Sequence, residues 1–160
     1  MILGESHPDT LISMNNLANL CCHLGDYDAA EPLYVDCLER RKAEVGESHP
    51  DTLMPMHGLA ILYLRRKQYR EAEPLLQYCL EKRRIVLGET HQQTLASLSG
   101  LALLYESRGS FHRAEALYID CLRATLGSRH PYTQSSLKSL AGLYTKQGEH
   151  KAEATLADCR

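Results

Sequence analysis

No run of apolar residues in this 160-residue sequence approaches the roughly 18 to 20 that a membrane-crossing helix needs, so no spanning segment and no membrane partner are expected. Met1 to Leu3 lack the charged and hydrophobic regions of a signal peptide, and the expected location is cytoplasmic. Neither sign of charge dominates. Eighteen Lys and Arg stand against twenty Asp and Glu, a net charge of −2, which gives no field to gather a phosphate backbone, and no nucleic acid is expected as a partner. The six cysteines do not fall in pairs: 42 residues separate Cys37 from Cys79 and Cys79 from Cys121, and Cys159 follows after 38. That spacing marks one recurring slot and argues against a disulfide framework. What is present is 44% hydrophobic and 24% charged residues, a balance that can bury a core and speaks against disorder.

The cysteine spacing belongs to a larger repeat. Gly-Glu-Ser-His-Pro-Asp-Thr occurs at Gly4 to Thr10 and again at Gly46 to Thr52, with variants at Gly88 to Thr94 and Gly127 to Thr133. The glycines are 42, 42 and 39 residues apart, a period that signals a repeat architecture. The last unit-to-unit step is three residues shorter, close to one helical turn, so an apolar stripe stays nearly in phase across it.

Apolar residues within each unit recur at three and four, the helical period. In the first unit Leu11, Met14, Leu17, Ala18 and Cys21 form one stripe, and Ala30, Leu33, Tyr34, Cys37 and Leu38 form a second. Gly25-Asp26-Tyr27 between them supplies a glycine to end one helix and an aspartate to cap the next, so each unit is predicted to be a helical hairpin. The heptapeptide is then a hinge between hairpins. Its Ser6-His7-Pro8-Asp9 and Ser48-His49-Pro50-Asp51 have the form of a capping box, with a hydroxyl for an orphan amide and proline in the first turn. Pro32 and Pro74 fall near the starts of second helices, where a missing amide costs least.

A hairpin of this size cannot bury its own apolar face, whereas stacking on neighbours produces a continuous core. The expected fold is all-α, a right-handed α-solenoid of four helix-turn-helix repeats spanning 4–45, 46–87, 88–126 and 127–160 as one array. Met1-Ile2-Leu3-Gly4 matches Ile85-Val86-Leu87-Gly88, the last turn of a second helix, and no polar capping helix is visible at either end. The chain is therefore expected to be an excerpt of a longer array, and end-to-end self-association through uncapped terminal hairpins is an expected possibility.

Aligned columns sharpen this reading. Leu17-Ala18, Leu59-Ala60, Leu101-Ala102 and Leu140-Ala141 share one, and Tyr27, Tyr69, Phe111 and His150 share another; Ala30-Glu31, Ala72-Glu73, Ala114-Glu115 and Ala152-Glu153 share a third. The pattern resembles the tetratricopeptide repeat (TPR), whose small residues let the two helices of a hairpin approach closely. The 42-residue spacing, the G-x-x-H-P-x-T hinge, Asn15 to Ala18 and Glu31 to Tyr34 are similar to the variant of kinesin light chains and related proteins. Two departures stand out. Cysteine replaces the usual alanine in the late small-residue slot, and the fourth unit has lost a residue between His150 and Ala152.

Candidate chemistry is sparse. Cys21, Cys22 and His23 adjoin, but neighbours on a helix point about 100° apart and cannot all reach one tetrahedral zinc. Cys37, Cys79, Cys121 and Cys159 are expected as small core residues, because equivalent positions of stacked hairpins lie about 10 Å apart, beyond disulfide reach. His7, His49, His91 and His130 share the hinge slot, and the singular His23, His57 and His112 have no nearby nucleophile or carboxylate at a spacing that forms a dyad. No enzyme, cofactor or metal is expected. The basic runs Arg40-Arg41-Lys42 and Lys82-Arg83-Arg84 are expected to face solvent at helix ends, whereas Arg65-Arg66-Lys67 closes a first helix and can reach the inner surface.

Solenoid curvature would make a groove lined by first helices, and in the proteins this array resembles the groove binds short peptide segments. Residues off the packing stripe are projected onto it. They are Asn15, Asn19 and His23; His57, Ile61, Leu64 and Arg65; Ser99, Leu103 and Glu106; and Lys138 and Lys146. Asn15 and Asn19 would offer donor and acceptor to a peptide backbone; Arg65, Lys138 and Lys146 would supply positive charge, and Ile61, Leu64 and Leu103 an apolar floor. The resemblance to kinesin light chains implies the same preference, for acidic motifs carrying an aromatic anchor. A carboxylate clamp of the chaperone-binding kind is not expected, since Gly58, Ala96 and Gly100 stand where its asparagine and basic groups belong. The expected function is a non-catalytic scaffold or adaptor that binds a partner's peptide. The alternatives are a regulatory or sensor array of a larger signalling enzyme or NTPase, and a structural spacer.

Overall fold

Each of the first three hinge glycines is followed three residues later by a histidine that starts a helix. In the computed structural model, which describes Gly4, residues 7–125 and residues 131–158, the last stretch with side chains at 132–148, these helices are α1 (Pro8–Leu24), α3 (Pro50–Arg65) and α5 (Gln92–Ser107). They alternate with α2 (Tyr27–Val45), α4 (Tyr69–Leu87) and α6 (Phe111–Thr125), and α7 (Pro131–Asp158) follows. No strand occurs among the described residues.

The hinge works differently from the capping box read in the sequence. The histidine, not the serine, is the N-cap: the Asp9, Asp51 and Gln93 amides donate to Nδ1 of His7, His49 and His91, each at 3.2 Å. An imidazole nitrogen thus does the work usually left to a hydroxyl or carboxylate oxygen. Thr10 and Thr52 hydroxyls close the loop by donating to the Gly4 and Gly46 carbonyls at 3.0 and 2.7 Å. Gly46 has φ 90° and ψ 163°, a region essentially reserved for glycine, which fixes the first letter of the motif. The Ser48 hydroxyl instead pairs with the Tyr78 hydroxyl at 3.0 Å.

The turn inside each hairpin repeats a second device. The Asp26, Gln68 and Ser110 amides donate back to the Cys21, Tyr63 and Tyr105 carbonyls at 2.9, 2.8 and 2.8 Å, the six-to-one bond of a Schellman motif. The left-handed residue that this bond requires is Gly25, Lys67 and Gly109, with φ 83°, 60° and 73°.

Two compact units result, the first through Gly88 with α1 to α4, the second from Glu89 with α5 to α7. In the first, α1 packs on α2, α3 on α4, and α2 and α1 both pack on α3. Ala18 and Ala30 are fully buried, as the small-residue columns require for close helix approach, and Tyr34, Leu53, Met56 and Leu62 fill the space between hairpins. In the second, α5 packs on α6 and both contact α7, around Leu98, Ala102, Ala114, Tyr118 and Leu143. Cys37, Cys79 and Cys121 are buried as the core reading anticipated; the Cys37 and Cys79 thiols lie 3.4 and 3.7 Å from the Leu11 and Leu53 carbonyls.

Two further expectations are corrected. Arg41 and Arg83 do not face solvent; they are buried. The Arg41 guanidinium donates to the Pro8 carbonyl at 3.2 Å and reaches Asp51 at 3.4 Å, and that of Arg83 donates to the Leu53 carbonyl at 2.9 Å. Long stems let both heads turn back to carbonyls of the first helix of the hairpin. The fourth repeat, expected as a hairpin, runs as one helix through Gly148, whose backbone is not left-handed. Its sequence has histidine where the other turns place Tyr27, Tyr69 or Phe111, and it is a residue short, so the signals that set a turn are missing. Gly127, His130 and Cys159 lie outside the described residues.

Candidate functional site

The first helices of the first two hairpins present a matching stripe that the core leaves at least partly open. On α1 it is Ile12, Asn16, Asn19 and His23, and on α3 Met54, Gly58, Ile61 and Arg65, the same +4, +3, +4 steps in both; all are half-buried or exposed. Of the residues projected from the sequence, Asn19, His23, Ile61 and Arg65 fall on this stripe. Asn15 and Leu64 do not, since both are buried, and His57 is half-buried on the flank. The projection ran one residue too wide: a step of three from Ile61 turns Leu64 into the helix interface, whereas a step of four keeps Arg65 outside. Asn15 Oδ1 has no hydrogen-bond partner among the described residues, a costly state for a buried acceptor.

A residue that the sequence reading assigned only to the core organises this stripe. Tyr34 rises from α2 between α1 and α3, and its hydroxyl donates to Asn19 Oδ1 at 2.6 Å. Its ring takes the room of a side chain at position 58, where a Cβ would stand 2.3 Å from Cε1, which explains Gly58. Burial pushes the phenol well above its ordinary range, with Cys22 adding to the rise and Arg65 opposing it, so Tyr34 remains a donor. With Oδ1 engaged, the Asn19 amide is held in one orientation and directs Nδ2, a double donor, elsewhere. Burial raises the Cys22 thiol as well, against the pull of Arg65. Arg65 itself is exposed and has no ion-pair partner among the described residues.

The flank joining the two hairpins is polar and closed. Glu31 of α2 accepts from Tyr63 at 3.0 Å and from Arg66 at 2.7 Å, both from the end of α3; Arg66 also pairs with Asp28 and stacks 5.8 Å from the Tyr27 ring centroid. Desolvation, then the Glu31 hydrogen bond, raises the Tyr63 phenol.

In the second unit Ser99 is half-buried, and Leu103, Lys138 and Lys146 are exposed. Glu106 is bound internally: its Oε2 accepts from the Tyr118 hydroxyl at 2.9 Å and its Oε1 pairs with Lys146 Nζ at 2.6 Å. Burial, then Glu106, pushes the Tyr118 phenol up. Tyr144 donates to Glu115, repeating the Tyr63 and Glu31 contact of the first unit. Among the described residues, no group of three or more His, Cys, Asp or Glu has the arrangement of a metal site, and no helix is long and apolar enough to cross a membrane.

Comparison with known proteins agrees with this architecture. A protein from Podosopora anserina described as a candidate kinesin light chain with nearly identical TPR-like repeats is 28% identical over 95% of this chain and 74% of its own, with a TM-score of 0.78. A point variant of that protein aligns over 98% and 74% at 26% identity, TM-score 0.77. BtubC (BKLC) from P. vanneervenii shares the fold at 22% identity, over 92% of this chain and 61% of its own, TM-score 0.78. No curated protein matches the sequence. The family profile described as tetratricopeptide repeat matches residues 9–85 and 66–125, so this all-α repeat solenoid belongs to the tetratricopeptide repeat family.

Proposed function

We propose that the stripe on α1 and α3 binds an extended, acidic peptide segment of a partner protein, and that the chain serves as a non-catalytic adaptor in the cytoplasm. Repeats of this family are typically protein–protein interaction scaffolds, and the similarity to a protein described as a candidate kinesin light chain favours an adaptor. The observation that carries the reading is Asn19: Tyr34 locks its Oδ1, which leaves Nδ2 to meet a peptide carbonyl or carboxylate beside the exposed Arg65. Ile12 and Ile61 add apolar contact for a side-chain anchor. Backbone recognition by an amide does not depend on the peptide's sequence, while the cation selects for acid.

A peptide array with acidic, aromatic-containing segments tests this. The Asn19→Ala/Arg65→Ala variant is expected to lose binding about tenfold or more, as for two hydrogen-bonding groups of which one is charged. Retained binding contradicts the proposed face.

A second reading rests on α1 alone. Leu17, Leu20 and Leu24 form an exposed apolar row, which favours self-association. Sedimentation velocity should then show mass rising with concentration, and Leu20→Glu should abolish the rise; a monomer at all concentrations rules this reading out.

A further inference from the structure

Three positions recur in both units when counted from the hinge glycines. Tyr34 and Tyr118 each lie 30 residues after a hinge glycine, Cys22 and Glu106 lie 18 after the same glycine, and Arg65 and Lys146 lie 19 after the next one. In the second unit the three form a closed set. The Glu106 carboxylate has one oxygen on the tyrosine hydroxyl and the other on the lysine, and its side chain is only 12% exposed. In the first unit the carboxylate is missing. Cys22 stands in its place, Tyr34 turns to Asn19 instead, and Arg65 is left exposed without an ion-pair partner among the described residues.

We propose that Glu106 is a built-in stand-in for an acidic ligand: the first unit holds an open carboxylate subsite between Arg65 and Asn19 Nδ2, whereas the second unit's equivalent subsite is occupied by its own Glu106. This rests on reading the α1–α3 stripe as the peptide site. The chemistry proposed for the first subsite is that seen at Glu106, where one cation and one neutral donor each take a carboxylate oxygen. Charge-assisted bonds of this kind are the stronger ones, while an exposed cation acting alone contributes little, so the donor at Asn19 is needed for the first subsite to discriminate. A tethered carboxylate has the advantage of effective concentration over any free peptide, and this keeps the second subsite closed. The residue 18 positions after the hinge glycine is thereby the specificity determinant, a neutral thiol where the unit is open and a carboxylate where it is closed.

The test uses the full chain and two blocked octapeptides that differ only in a central glutamate or glutamine, followed by side-chain NMR signals of Arg65, Asn19 and Lys146. The wild-type protein is expected to bind the glutamate peptide about tenfold more tightly at Arg65 and Asn19, with no response at Lys146. Glu106→Gln, which keeps an acceptor for Tyr118, should add a glutamate-specific response at Lys146. Cys22→Glu should weaken the Arg65 response at least about fivefold; if this variant does not fold, Arg65→Gln takes its place and should equalise the two peptides. A glutamate preference at Arg65 with no gain at Lys146 in Glu106→Gln overturns the stand-in role and leaves the peptide site standing. Equal binding of both peptides keeps the face but overturns the carboxylate subsite. No binding of either peptide at any residue overturns both.

Discussion

Leu20 of α1 and Leu62 of α3 occupy the same position of consecutive repeats, yet Leu20 is 54% exposed and Leu62 is fully sealed. Leu17 and Leu59 repeat the contrast at 50% and 5%. The helices are alike; α3 has the preceding α2 packed on it, whereas no helix among the described residues packs on that flank of α1. Burial in a repeat array is conferred by the neighbouring hairpin rather than by the helix's own pattern. The ends of the two helices differ in kind as well. Tyr63 near the end of α3 and Arg66 at its C-cap grip Glu31 of the hairpin before it, and the first repeat has Cys21 and Leu24 at those positions.

The sharpest way to break this comparison is to truncate both leucines. Leu62→Ala should cost about 2 to 5 kcal/mol by urea denaturation, as for a sealed core leucine, and Leu20→Ala about 0.5 kcal/mol or less. Equal costs would mean that Leu20 is covered in solution. Next in size is the contact between Tyr34 and Gly58. Gly58→Ala places a methyl against the ring and should cost about 1 to 3 kcal/mol, whereas alanine at the exposed Asn16, its counterpart in α1, should be nearly neutral.

A third comparison concerns thiols. Burial pushes Cys79 from its ordinary 9.0 up to about 12, so the folded state holds that proton longer than the unfolded chain does. The sign follows: stability from this group is intact below pH 9 and falls as pH rises toward 12, and Cys79→Ala should flatten that loss in alkaline melting curves. Half-buried Cys21 should react with a thiol reagent well before Cys37 or Cys79. The smallest effect is at Lys67, whose φ of 60° is left-handed where Gly25 and Gly109 fill the same slot. Lys67→Gly should gain up to about 1 kcal/mol in thermal unfolding, because relief of the backbone outweighs the added freedom of the unfolded chain.

The fold was legible because its period repeats signals of known cause. Hinge glycines, paired alanines and turn residues recur in register, and through the first three repeats the structure uses them where the spacing put them, whereas the turn expected at Gly148 is absent. What escaped were side chains that reach away from their own helix. Arg41 and Arg83 read as solvent-facing because helix-end cations usually are, and only the packed hairpin supplies the carbonyls that draw them in. Tyr34 read as an ordinary core residue, since nothing in its own helix shows that it crosses to Asn19, although Gly58 in the next repeat was a trace of its ring. Asn15 and Leu64 were missed by one step of the helical wheel, and Glu106 was placed on an open surface although its partners, Tyr118 and Lys146, come from two other helices.

A crystal structure of the chain with an acidic peptide selected from the array tests the account most directly. Peptide density running along α1 and α3, with a carboxylate against Arg65 and a carbonyl or carboxylate on Asn19 Nδ2, is the predicted result. Density on the opposite side, against Glu39 of α2 or Gln77 and Glu81 of α4, would contradict it.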